Sequence, residues 1–301
     1  MQKIFASKAR EYCNRLLIIL VSLNFMVFAA CRHPDPDSRF GNPAIVDPAF
    51  DLCSVWKPGL SWDDFQNIRT HLERSELIPY VNKIESSKML KSRGIPVIPV
   101  IYAANSKEDF STILDKHKEY VAKPAHMSQN NGLVIIRDGI NVITGKAMSS
   151  SEVQTAMHKI LDTPSNSNEW VLQNMPRGFI VQEFINKRQE LKIQTIFGKA
   201  VAMSWLEGED FNYYYYYIDG KKRSDREPDF PYGDLLEEAI KIAEKSAEKT
   251  DFLRVDLMIR FNPDGSKDLM VNELELRSQM GWPDSQIFAR LINAGYRTHC
   301  I

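Results

Sequence analysis

Two segments near the C-terminal end, "FLRVDLMIRF" (252–261) and "KDLMVNELEL" (267–276), constrain this chain more than any other feature. They flank the turn Asn262-Pro263-Asp264-Gly265 and read as a hairpin of two strands. Asp256 lies in the first strand, and Glu273 and Glu275 lie two apart in the second. Period-two geometry points both glutamates to one face, and pairing across the turn brings Asp256 alongside them. Acidic groups on an interior face are costly without cations. Three hard oxygen donors on one sheet face suit Mg²⁺, which takes carboxylates together with substrate phosphates. The competing reading, that these groups face water or pair with Arg254 and Arg277, satisfies the same spacing.

A second feature poses the matching question of charge. In "YVAKPAHMSQNNG", residues 120–132, an alternating strand runs into Lys123, then a proline, then a small polar loop closed by Gly132. A lysine in that place can reach nucleotide phosphates while backbone N–H groups of the loop wrap them. A surface lysine at a strand end fits equally well when the segment is taken alone. Lys192, just after Glu190 at the start of another strand, is the second candidate cation.

From about residue 51 the texture is that of mixed helix and strand. Helical periodicity appears in "SWDDFQNIRTHLERSE" behind Ser61, and in "KIESSKMLKSRG", which ends on Gly94. "IPVIPVIYA" reads as a strand and "SKEDFSTILDKH" as a helix capped by Ser106. "EYVAKP", "GLVIIRDG" and "GINVITG" are short strands, and Ser149 with Glu152 forms a capping box for a helix through about Leu161. Further strands are "RGFIVQEFI", "LKIQTIFGKAVAMSW" and "NYYYYYIDGKKR", the last with an Asp219-Gly220 turn. "YGDLLEEAIKIAEKSAEKT" is a long amphipathic helix. In the run Tyr213 to Tyr217, at most three of the five rings share a face.

Composition narrows the function classes. With 301 residues and 44 % hydrophobic content the chain can bury a large core, and a net charge of −1 disfavours a nucleic-acid partner. The four cysteines, at 13, 31, 53 and 300, have no metal-ligand spacing, which argues against zinc. Cys53 and Cys300 could pair in an oxidising compartment; spacing alone does not decide it.

The N-terminus differs in kind. A basic start precedes "LLIILVSLNFMVFAA", Leu16 to Ala30. As a helix this run spans roughly 22 Å, short of a hydrocarbon core of ~30 Å, so a secretory signal or short signal anchor over 1–30 fits best. The positive charge before it puts the rest of the chain on the non-cytoplasmic side. A Pro-rich, charged linker follows over 31–50, and its Asp35-Pro36-Asp37 reads as solvated spacer.

The ordered set "YVAKPAHMSQNNGLVII", "FIVQEFI", "ELKIQTIFGKAVAMSW", "FLRVDLMIRF" and "VNELELRS" resembles the ATP-grasp superfamily. "VQEFI" and "FGKAVAM" are similar to ligases that add amino acids to peptide C-termini. "NEWVLQNMPRGFIVQEFI" and "FLRVDL" look closer to the teichuronopeptide-biosynthesis (TupA-like) branch. The likeness spans about 80–282. It implies an α+β, ATP-grasp fold with two subdomains clasping ATP, over 83–185 and 186–301, after a short helical region at 51–82.

The resemblance also implies roles. Lys123 would hold the α- and β-phosphates, under a lid running from His126 through Ser128 to Gly132. Gln182, Glu183, Phe184 and Ile185 would form the adenine hinge, Glu190 would sit near the ribose, and Lys192 would contact phosphate. Asp256, Glu273 and Glu275 would ligate one or two Mg²⁺ ions. Arg277, with Arg254, would face the transferring phosphoryl group beside Lys192. The implied chemistry is ATP-dependent activation of a carboxylate as an acyl phosphate, attacked by an amine, on a small-molecule or polymer substrate. Departures from the family pattern are a lid with one glycine, Glu275 where many members carry asparagine, and a short N-terminal region. The rival readings are a kinase of a sugar-like acceptor, a membrane-tethered glycosyltransferase, and a nucleotide-binding module without turnover. The family chemistry needs ATP, which a leader that exports the domain would leave behind in the cytosol.

Overall fold

A computed structural model describes residues 46–186, 189–207, 212–278 and 285–300. The sequence features at 1–30, Cys13, Cys31 and the Asp35-Pro36-Asp37 tether lie outside the described residues. Of the segment read as linker, residues 46–50 are described, and Val46, Ala49 and Phe50 are buried in the core. Among the described residues no helix is long and apolar enough to cross a membrane.

Two antiparallel sheets organise the described chain. The first contains β1 (Val100–Ala104), β2 (Glu119–Pro124), β3 (Val134–Arg137), β4 (Ile140–Asn141), β5 (Lys146–Ala147) and β6 (Phe179–Glu183), in the order β1-β6-β2-β3-β4-β5. The second contains β7 (Gln189–Ile196), β8 (Lys199–Glu207), β9 (Asn212–Tyr217), β10 (Phe252–Phe261) and β11 (Lys267–Glu275), in the order β11-β10-β7-β8-β9. The segment before β1 ties the sheets together, because Val97 bridges Val271 of β11.

The helices are α1 (Trp62–His71), α2 (Ile78–Val81), α3 (Lys83–Ser92), α4 (Ser111–Leu114), α5 (Ser150–Asp162), α6 (Trp170–Asn174), α7 (Leu236–Ser246) and α8 (Ser285–Cys300). Ser61 and Ser149 both form capping boxes, with Asp64 and Glu152. Alpha-helical spacing then selects the buried faces: Trp62, Phe65, Gln66 and Arg69 in α1, and Val153, Met157 and Ile160 in α5.

Strict alternation gives each sheet two unlike faces. In the first sheet, Tyr120, Ala122, Val134, Ile136 and Val181 pack on α5, while Val121 and Lys123 face a cleft. In the second, Leu191, Ile193, Val255 and Leu257 join the core that includes Ala239 and Ile242 of α7. The opposite face carries Phe252, Arg254, Asp256 and Met258 on β10. Its Phe252 end is covered by Trp62 and Phe65 of α1 and Phe288 of α8.

Several elements are shorter than the sequence predicts, and two show the physical reason. The stretch "IPVIPVIYA" is strand only from Val100, since Pro96 and Pro99 lack the N–H a ladder needs. The helix predicted from Ser106 forms only over Ser111–Leu114. Its leading backbone N–H groups at Phe110 and Ser111 donate to Gln154 Oε1, at 2.7 and 2.8 Å, and Ser111 also bonds Asp109.

Cys53 and Cys300 form a disulfide with a Cα–Cα distance of 5.4 Å, joining the start of the described chain to the end of α8. Beside it, the Tyr296 hydroxyl lies 2.8 Å from Phe50 O and donates to Asp251, which also pairs with the buried Arg69. Asn293 accepts from Trp56 Nε1 and donates to Leu60 O. A cross-link over a long loop restricts the unfolded chain and typically contributes about 2–4 kcal/mol. Reduction, or Cys53→Ser, is expected to lower urea-unfolding stability by about that amount, with little change in the far-ultraviolet spectrum of the folded protein.

Candidate active site

Between the sheets lies a cleft of about 1610 Å³. The first sheet supplies Val121, Lys123, Ile135 and the residues of the loop after β2. The second supplies Lys192, Arg254, Asn272, Glu273 and Glu275. The β6–β7 connection, Gln182 to Asn186, joins the two walls at one side.

The floor of the site is an ion network on the polar face of the second sheet. Register sets Asp256 opposite both Lys192 and Glu273, and Arg254 opposite Glu275. Asp256 is fully buried. Its Oδ2 accepts from Lys192 Nζ at 2.5 Å and Arg254 Nη2 at 2.8 Å, and its Oδ1 accepts from Arg254 Nε at 2.7 Å. Burial pushes this carboxyl up, but Arg254 and Lys192 outweigh it and hold it below the usual carboxylate range. Lys192 and Arg254 are desolvated too, and the surrounding carboxylates raise both above their ordinary values.

The network continues to the first sheet. Lys192 lies 3.4 Å from Glu190, whose Oε1 accepts from Asn272 Nδ2 at 3.1 Å. Lys123 donates to Asn272 Oδ1 at 2.8 Å. Asn272 reaches both because the β10–β11 ladder shifts register between Asp256 and Leu257, leaving Asn272 as the extra residue of a bulge. Burial pulls the Lys123 ammonium down to about 8, against Glu273, Glu190 and Asp256, which hold it up.

Glu273 and Glu275 line the cleft with looser partners. Lys83 Nζ is 3.6 Å from Glu273, and Arg254 Nη2 is 3.5 Å from Glu275. Burial raises the Glu275 carboxyl to about 7; Arg254 opposes this, while the charges of Glu273 and Asp256 add to it. Two carboxylates on one strand that resist sharing full charge make a donor pair a divalent cation would relieve. Asp256 is different in kind, since both its oxygens are occupied by cationic side chains. Its oxygens do not join those of Glu273 and Glu275 within 4.8 Å. The group of three acidic or thiol ligands that does meet that distance among the described residues is Asp51, Cys53 and Cys300, whose sulfurs are bonded to each other.

The other sequence candidates fall on both sides of the cleft wall. Ser128, Gln182, Glu183, Phe184, Ile185 and Glu190 line it, as does Arg277. The Glu183 backbone N–H is already donated to Pro99 O at 3.0 Å. His126 lies behind the wall: its ring is buried, with Nε2 3.0 Å from Thr163 O and Nδ1 3.3 Å from Gly178 O. Gly132 is exposed and is not among the residues lining the cleft. Its φ is +75°, and a Cβ there would meet Ile160 and Pro124 at 2.8 Å. The loop's contribution to the cleft is Met127 to Asn131 and Leu133.

Lys83, Asn272 and Glu169 are among the cleft residues that escaped the sequence reading. Lys83, the first residue of α3, donates to Met127 O at 3.0 Å and faces Glu273. Asn272 sits on the strand at a position that simple alternation sends to the opposite face. Glu169 lies just before α6 in a Ser/Asn-rich stretch whose polarity reads as loop.

No family model matches the sequence, and no curated protein matches it. Solved structures are similar at low identity. D-cycloserine synthetase DcsG aligns with TM-score 0.47 and 15 % identity over 72 % of this chain and 71 % of its own. D-alanine–D-alanine ligase from Bacillus anthracis, complexed with ATP, aligns with TM-score 0.46 and 19 % identity over 74 % of this chain and 65 % of its own. The ATP-grasp ligase PsnB, complexed with precursor peptide and AMPPNP, aligns with TM-score 0.42 and 12 % identity over 76 % and 62 %. The chain thus spans about two thirds of the length of the solved proteins it matches.

The ion network makes Asp256 a structural keystone. Removing one partner of a buried pair costs roughly 3–5 kcal/mol. Asp256→Asn is expected to lose about that much in urea unfolding, because Lys192 and Arg254 then stay buried with only their longer contacts to Glu190 and Glu275. Glu273→Gln, at a partly exposed side chain with a 3.6 Å partner, is expected to lose under about 1 kcal/mol.

Proposed function

We propose that the cleft binds Mg·ATP and that the chain is an ATP-dependent carboxylate–amine ligase working through an acyl phosphate. The observation that carries this reading is the convergence of Lys123 from one sheet with Lys192, Glu273 and Glu275 from the other on a single cleft. Residues 83–185 and 186–301 are read as the two halves that clasp the nucleotide. Lys123 and Lys83 would meet the phosphates from the first sheet's side and Lys192 from the second. Glu273 and Glu275 would hold Mg²⁺, which neutralises phosphate charge as it shifts in the transition state. Arg254 and Arg277 would face the transferring group. No nucleophilic side chain is required, since catalysis is positioning and charge neutralisation.

The finer reading, a TupA-like enzyme that modifies a cell-surface polymer or peptide, is supported by the motifs "NEWVLQNMPRGFIVQEFI" and "FLRVDL". Export or membrane anchoring through the N-terminal hydrophobic run is supported by the Cys53–Cys300 disulfide, since such bonds persist in oxidising compartments.

Nucleotide titration on a chain starting near residue 40 tests the core of the reading. ATP is expected to bind with Mg²⁺ and at least about tenfold more weakly without it, and Glu273→Gln is expected to remove that Mg²⁺ dependence. Phosphate release that depends on a carboxylate and yields an amide identifies the ligase; a phosphorylated acceptor identifies the kinase instead.

The lowered Lys123 value gives a pH dependence with a definite sign. The ammonium form attracts the triphosphate, and the free protein loses that proton as pH rises through about 8. Mg·ATP affinity is therefore expected to fall above that pH, approaching about tenfold per unit. Lys123→Arg, which stays charged, should flatten the decline in the same calorimetric titration.

A further inference from the structure

The cleft carboxylates near the ion network are engaged, with one exception. Glu190, Asp256, Glu273 and Glu275 each have a cation or amide donor. Glu169 also lines the cleft, and its side chain makes no hydrogen bond or ion pair within 4.0 Å among the described residues. Its own backbone is fixed: the N–H donates to Ser167 Oγ at 3.1 Å, and the carbonyl accepts from Gln173 N at 3.0 Å. Behind it, Val171, Leu172 and Met175 are buried in the main core, so the carboxylate projects from a rigid base. The charges that reach it are Arg277, Arg254 and Lys83. Arg277 Nε is itself buried without a hydrogen-bond partner among the described residues. Glu207, another cleft carboxylate, sits at the end of β8, opposite Gln189.

We propose that Glu169 is the base that takes the proton from the acceptor amine, a role that rests on the ligase reading above. An amine arrives as ammonium and cannot attack until it loses a proton. Glu169 accepts that proton, and the freed lone pair forms the C–N bond at the acyl carbon. The C–O bond to phosphate breaks, its electron pair leaves with inorganic phosphate, and the second nitrogen proton goes to that phosphate. Burial pushes Glu169 above its ordinary value although Arg277, Arg254 and Lys83 pull it down, which brings it closer to neutral pH, where a base is most useful.

The test compares two nucleophiles on the full chain with Mg·ATP. A panel of carboxylates (protein amino acids, their D-forms, short peptides and uronic acids) is offered with hydroxylamine, which is neutral at neutral pH and needs no base. The active carboxylate is then offered with amino-acid amines. In Glu169→Gln the ratio of amide to hydroxamate is expected to fall about 100-fold or more, and to recover as alkaline pH deprotonates the amine. Glu169→Asp should restore part of the ratio, and its pH profile serves alone if the glutamine variant does not fold. An unchanged ratio, or equal loss of both products, overturns the role of Glu169. Absence of hydroxamate from the unaltered chain across the whole panel overturns the ligase reading, and the role of Glu169 with it.

Discussion

Asp256 has no exposed surface, yet it carries a charge, and the second sheet depends on how that charge is met. Its partners come from two strands, Lys192 on β7 and Arg254 on β10. A one-residue slip of β10 would carry Asp256 to the face now held by Val255 and Leu257, where no cation stands. An unpaired carboxylate there would cost several kcal/mol. The pair therefore fixes register as well as charge. With register fixed, Glu273 and Glu275 must come up on the same face, and Leu274 must go into the core.

The same network joins the two sheets. From Lys123 the contacts run through Asn272 to Glu190, then Lys192, Asp256, Arg254 and Glu275, alternating in sign or polarity along the way. Each cation is thereby held in place before any ligand arrives, and its orientation costs little when an anion binds. The inner members are tightly bonded. The outer ones, Lys123, Lys83, Glu273 and Glu275, have single or long contacts and face open space. That gradient separates what holds the fold from what is free to exchange partners with a ligand.

The chain's alternation made the fold legible. Capping residues Ser61 and Ser149 marked helix starts, and Asn262 to Gly265 marked the hairpin that carries the acidic cluster. The cleft-facing Lys123 and Lys192 were not legible from their own segments, since a surface lysine fits a strand end equally well; the ordered set of motifs pointed to them. What stayed hidden depends on tertiary choices. Period two sends Asn272 away from Glu273, and only the bulge turns it back. Nothing local distinguishes His126 as a buried anchor from a loop histidine; its partners Thr163 and Gly178 are distant in sequence. Lys83 opens an ordinary amphipathic helix, and its place in the site follows from where α3 docks. The helix predicted after Ser106 was displaced by Gln154, a competitor on another helix for the same N–H groups.

The loop after β2 shows how a glycine-poor segment can still make a tight cradle. Gln129 and Asn130 both sit at φ 59°, in the left-handed region that side chains other than glycine's disfavour. Such residues persist only where their surroundings hold them. Here Asn166 accepts from Ser128 N at 3.2 Å and donates to Ser128 O at 3.4 Å, Asn131 also bonds Ser128 O, and Lys83 holds Met127 O. The turn is thus held by its own hydrogen bonds and by clamps from Asn166 and Lys83 outside the loop. A glycine-rich loop in this place would lose more conformational entropy on ordering; this one is held in shape by its contacts. The clamp from Asn166 also belongs to the stretch that ends in Glu169. The loop after β2 and the rim that carries Glu169 are thus joined by hydrogen bonds through one short segment.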